Sequence, residues 1–175
     1  MDRKTFIKAM LIPAVILVGF IGYNYYTLNQ GHEILLKTVP VDPNDLFRGN
    51  YVNLRYEISA IDLNTKIYDR PFDYGGDVFA SLAKGEKFWF VTRVGHSVQP
   101  LQNNEVCLKG KVTSSYENRI NVEWGIESYF VPEGKGLDIE REIRNVSVMV
   151  SADRTCRALI KELYIDDESL TLSHS

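Results

Sequence analysis

Residues 9–26, AMLIPAVILVGFIGYNYY, carry no formal charge. This run constrains the chain more than any other feature. As a helix rising about 1.5 Å per residue it reaches roughly 27 Å, close to the thickness of a bilayer's hydrocarbon core. Leu11, Ile12, Val15, Ile16, Leu17, Val18, Phe20 and Ile21 lie within it. Each favours insertion by roughly 0.3–0.6 kcal/mol near the centre of a spanning helix. Pro13 and Asn24 oppose insertion. Pro13 lies near the N-terminal end, where a missing N–H costs least. A helix apolar on every side, behind basic residues, is a poor surface or core helix for a soluble domain.

The flanks give the run a direction. Arg3, Lys4 and Lys8 precede it, while Lys37 is the first basic residue to follow apart from histidine. The positive-inside rule then puts residues 1–8 in the cytoplasm and the rest of the chain outside it, in a periplasmic or extracellular space. Tyr23, Tyr25 and Tyr26 fit an aromatic belt at the outer interface. A cleaved signal peptide is the rival reading. Against it, the apolar run is long and ends in Gly-Tyr-Asn-Tyr-Tyr, with no A-x-A site after it. The expected organisation is a signal anchor held in the bilayer through residues 9–26, a stalk at 27–32, an extracytoplasmic domain at 33–167 and a polar tail at 168–175.

About 145 residues follow the anchor, enough for one domain with a real core. The formal net charge is −3, and Arg3, Lys4 and Lys8 against Asp2 leave the first 28 residues positive. The exported part is therefore mildly acidic, which argues against a nucleic-acid partner. His32, His96 and His174 lie far apart without metal-ligand spacing, so no metal or other cofactor is expected.

The exported part reads as mainly β (α+β). Glu33–Asp42 is a candidate strand, with Pro40 at its edge or end. In Tyr51–Ser59 the apolar residues Val52, Leu54, Tyr56 and Ile58 alternate with Asn53, Arg55 and Glu57. A short helix is expected at 77–83, closed by Gly85. Lys87–Val94 is a strand. Glu105–Tyr116 and Arg119–Val131 form a hairpin about Glu117-Asn118. A second short helix is expected at Gly134–Arg144. Val146–Val150 and Ala158–Ile165 form a final hairpin around Ala152-Asp153-Arg154. The expected architecture is a small antiparallel sheet curled into a barrel or sandwich, with one or two short helices.

The stretch Asp42-Pro43-Asn44-Asp45-Leu46-Phe47-Arg48-Gly49-Asn50-Tyr51-Val52-Asn53-Leu54-Arg55-Tyr56 resembles the signature of the GDYXXLXY family of bacterial membrane-anchored proteins. Gly49, Tyr51, Leu54 and Tyr56 match the motif. Tyr129-Phe130-Val131-Pro132-Glu133-Gly134-Lys135-Gly136 resembles a second family block. Asn50 stands where the motif has aspartate, and an amide is neither a general base nor a good ligand for hard cations. The resemblance implies an accessory protein that works beside multi-span membrane proteins. It implies no reaction.

Candidate functional residues fall in those two blocks. Around Asp42, Asp45, Arg48, Asn50, Tyr51 and Tyr56, one reading is a structural turn. The other is a recognition corner with Arg48 as donor to an anionic group. Glu133 and Lys135 put one acid and one base in a loop, which is either a site wall or an exposed turn. Cys107 and Cys156 either pair, closing a loop of about 50 residues worth up to roughly 4 kcal/mol, or remain two free thiols. An anchor before a Gly-x-x-Val strand resembles signal peptidases in outline, but the first serine is Ser59. The favoured function is a tethered accessory or binding module acting with a membrane-protein partner or envelope component. The alternative is a small envelope hydrolase using carboxylates such as Asp45 or Glu133.

Overall fold

The computed structural model describes residues 3–39, 47–48, 51–130, 146–165 and 168–169. Residues 3–7, 47–48, 51 and 168–169 are described by backbone alone. One helix, α1 (Arg3–Gln30), leads into a mainly β domain. Met10, Ile12, Val15, Ile16, Val18 and Ile21 are all exposed, on every side of the helix. By length and composition the segment Lys8–Gln30 is able to cross a membrane. Residues 27–32, read from sequence as a stalk, instead hold the last turn of α1, Gly31 and the first residue of β1.

The first half of the domain is β1 (His32–Lys37), β2 (Phe47–Arg48), β3 (Tyr51–Asn53), β4 (Ala60–Asp62), β5 (Asp77–Lys84) and β6 (Trp89–Gly95). The second half is β7 (Glu105–Tyr116), β8 (Arg119–Glu123), β9 (Ser128–Phe130), β10 (Val146–Ala152), β11 (Ala158–Ile165) and β12 (Glu168–Ser169). Among the described residues these form three antiparallel sheets, ordered β1-β10-β11-β12, β2-β3-β9 and β4-β8-β7-β5-β6. The largest is a curled half-barrel. One continuous core runs through all three, with Ile34 and Val148 from the first sheet, Val52 from the second and Leu108 from the third.

The short helix expected at 77–83 is strand β5. Ala and Leu favour helix locally, but β5 pairs with β6 on one side and β7 on the other. Val78, Ala80 and Leu82 are fully buried at a period of two, so pairing and burial override propensity. Tyr51–Ser59 keeps its expected alternation, with Val52, Leu54, Tyr56 and Ile58 buried. Only Tyr51–Asn53 is ladder-paired strand, and Glu57–Ser59 is a 3-10 turn. Arg119–Val131 breaks at Gly125, whose φ is +78°. That turn sends β8 and β9 into different sheets. The expected tail contributes Glu168 and Ser169, which pair with β11. The helix expected at 134–144 lies outside the described residues.

Candidate functional site

The two family-like blocks meet in the smallest sheet. β2 pairs with β3 through Phe47↔Val52 and Arg48↔Tyr51. β3 pairs with β9 through Tyr51↔Phe130, Val52↔Tyr129 and Asn53↔Ser128. The pairing continues beyond the ladder, where the Leu54 N–H donates to the Glu127 carbonyl at 2.6 Å. Segments more than seventy residues apart thus form one surface.

Within the motif, Leu54 and Tyr56 face inward. Tyr56 is 1% exposed, and its hydroxyl donates to the Ile126 carbonyl at 2.5 Å. Burial, then the nearby Glu127 charge, push that hydroxyl far above the usual tyrosine range. Tyr56 is therefore a neutral strut between the motif and the turn before β9. Glu127 also accepts from the Trp124 backbone N–H at 2.5 Å, which fixes that turn. Tyr129 is half-buried, and burial followed by the Glu162 charge raises its hydroxyl. Among the candidates named from sequence, Arg48 and Tyr51 are placed by their backbone pairing. Asp42, Asp45, Asn50, Glu133 and Lys135 lie outside the described residues.

A second constellation joins the helix to the domain at the β10–β11 turn. Tyr23 donates to Asp153 Oδ2 at 2.8 Å and Thr27 at 3.1 Å. The Thr155 N–H and hydroxyl reach Asp153 Oδ1 at 2.8 and 2.6 Å, and the Arg157 N–H does so at 3.1 Å. Burial alone would raise the Asp153 carboxyl. The bonds from Thr155, Tyr23 and Arg157 outweigh it and hold the group below the usual carboxylate range. The Arg157 guanidinium donates to the Asn24 side-chain oxygen at 3.0 Å and lies over the Phe20 and Tyr23 rings at 6.0 and 5.3 Å. Ser151 donates to the Thr27 carbonyl at 2.6 Å.

The same turn is fastened to the half-barrel. Cys156, at φ +66°, forms a disulfide with Cys107 of β7, with Cα atoms 4.7 Å apart. The Lys109 N–H donates to the Cys156 carbonyl at 2.7 Å. Sequence reasoning named the two cysteines, the turn at Asp153 and Tyr23 as an interface residue, but not Thr27 or Arg157, and it did not join Tyr23 to Asp153. The turn around Ala152-Asp153-Arg154 was legible from the strands on either side of it. Its partners sit in the apolar run, where a hydroxyl reads only as an interface residue.

Among the described residues, two clefts stand out on the domain. One, of about 590 Å³, is lined by both edge strands of the half-barrel, β4 and β6. The other, of about 420 Å³, lies between β7 and the turn that holds the helix. His96 Nδ1 sits 2.9 Å from Asp69 and its ring stacks on Phe72 at 4.3 Å, a structural arrangement. Among the described residues, no three His, Cys, Asp or Glu side chains are grouped to hold a metal ion.

These features define a small β domain joined by hydrogen bonds to an N-terminal helix apolar enough to span a bilayer. The family model described as GDYXXLXY protein matches residues 13–163, and the chain belongs to that family. No curated protein and no solved structure matches it.

Proposed function

We propose that this protein is a membrane-tethered extracytoplasmic accessory module. It binds a membrane protein or another envelope component through the β2-β3-β9 surface. The observation that carries this reading is the contrast along α1. Its apolar residues are exposed on all sides, yet Thr27 in its last turn is fully buried against the domain. A helix shaped that way needs an apolar medium around its body and holds its domain at a fixed end. The basic residues before the span favour a cytoplasmic N-terminus. The motif segments supply the surface, because both belong to one sheet whose inner face is tied down by Tyr56.

Two measurements test this. C-terminal alkaline phosphatase and fluorescent-protein fusions report which side the domain occupies. Active phosphatase supports the reading, and bright fluorescence overturns the orientation. A photo-crosslinking residue placed at Asn53, which is exposed on β3, is then activated in intact membranes. An adduct of one defined mass, missing when the probe is moved to exposed Asn64, supports the motif surface as the binding face. Equal labelling from both positions overturns it.

A further inference from the structure

The bulk charge of the domain gives no reason to expect affinity for anionic lipids, but the local charge beside the helix does. Lys109, Lys111 and Arg157 line the 420 Å³ cleft with Thr155 and Trp124. Two carboxylates share it, Asp77 and Glu123. Asp77 already serves both lysines, at 2.8 Å from Lys109 and 3.9 Å from Lys111. The Arg157 guanidinium is held by the neutral Asn24 amide and two aromatic rings. Among the side chains lining the cleft, three cations therefore face two carboxylates, an excess of one positive charge.

Its height follows from the helix. Arg157 contacts Phe20, Tyr23 and Asn24, all within the last two turns of the apolar run. Tyr23 to Tyr26, the tyrosines of the expected outer interface, span about 4.5 Å of helix, within the roughly 5–7 Å depth of the headgroup layer on one side of a bilayer. Arg157 is half-buried and lies over two aromatic rings of the apolar run, as a snorkelling arginine at an interface would. Gly110 lets the cleft wall close. A Cβ there would sit 2.7 Å from the Trp124 ring and 2.7 Å from the Glu123 carbonyl.

We infer that this cleft binds the phosphate of an anionic phospholipid from the leaflet in which α1 ends. Lys109 and Lys111 act as point-charge donors and Arg157 as a planar donor. The inference rests on the membrane reading above, because only a spanning helix brings the cleft to the headgroups.

The test is native mass spectrometry of the full-length protein in detergent. Phosphatidylglycerol is titrated against phosphatidylcholine, with inorganic phosphate as a third arm. The expected result is retention of one phosphatidylglycerol in preference to phosphatidylcholine. Lys109→Gln with Lys111→Gln reduces that retention at least fivefold, and Lys111→Gln alone, at an exposed side chain, reduces it less. Lys66→Gln, in the other cleft, leaves it unchanged. Equal retention of the two lipids overturns the inference, as does an unaffected double variant with its Cys107–Cys156 bond intact on a non-reducing gel. Displacement of the lipid by millimolar phosphate also overturns it, since the site would then be a general anion site. Carbonate extraction of membranes separates the two readings. A protein that stays in the membrane but shows no lipid preference fails this inference alone, whereas one released by carbonate fails the tether as well.

Discussion

Tyr23 of the helix donates its hydroxyl hydrogen to Asp153 of the β10–β11 turn at 2.8 Å, across 130 residues of sequence. One carboxylate thereby gathers the helix, the turn and, through Cys156, the half-barrel. Asp153→Asn replaces a charged acceptor of several bonds with an amide. The expected cost is about 1–3 kcal/mol. It should appear as a broader distance distribution between spin labels on the helix and the domain. An unchanged distribution would mean that packing alone holds the joint.

The same carboxylate makes the joint sensitive to acid. Its folded-state pKa is depressed, so its contribution is complete above the unfolded value of about 3.9. The contribution fades as pH falls through the lower folded value. Acid titration of the labelled full-length protein should loosen the joint below about pH 4. Asp153→Asn should remove that part of the pH dependence.

Reduction of the Cys107–Cys156 bond releases the turn from β7. The chain-entropy argument sets the loss of domain stability at about 2–4 kcal/mol. Thermal unfolding with and without a thiol reductant measures it. Cys107→Ser with Cys156→Ser should reproduce the reduced protein and no longer respond to reductant.

Tyr56→Phe keeps the ring and removes the hydroxyl that serves the Ile126 carbonyl. A loss of roughly 1–2 kcal/mol is expected, seen as a lower unfolding midpoint in urea. Because the folded-state pKa of Tyr56 is raised, its contribution is present below about pH 10 and lost as pH rises toward the folded value. Tyr56→Phe should weaken the alkaline transition, though Tyr129 and Tyr164 are raised too.

At Gly31, an added Cβ would lie 2.2 Å from Ser151 Oγ, 2.6 Å from the Thr27 carbonyl and 2.9 Å from the Ala152 carbonyl. The two backbone oxygens cannot turn aside as a side chain can. Gly31→Ala should therefore cost about 1–3 kcal/mol and shift the melting curve of the full-length protein downward. Gly75→Ala, at an open position with positive φ, is the comparison for backbone strain without crowding.

Much of this architecture was legible because periodicity is local. The alternation from Val52 to Ile58 and the limits of Glu105–Tyr116 can be read within a few residues. Strand β5 was not legible, because Ala80, Leu82 and Ala83 suit a helix until strands from both sides claim the backbone. The meeting of Tyr51 with Phe130 was also hidden. Their sequence blocks were recognisable, but pairing across nearly eighty residues is a property of topology. The joint was hidden for a related reason. Tyr23 looked like an interface residue and Asn24 like an interruption of the apolar run, and nothing in the run names Asp153 or Arg157 as their partners.

Between the end of α1 at Gln30 and the start of β1 at His32 there is a single glycine. A domain on a long leash would sweep a hemisphere above its anchor. One residue gives this domain no such leash: α1 and β1 meet as two arms of a bracket, braced again where Tyr23 and Thr27 bond Asp153. If α1 lies in a bilayer as proposed above, a tilt of the helix carries the β2-β3-β9 sheet with it.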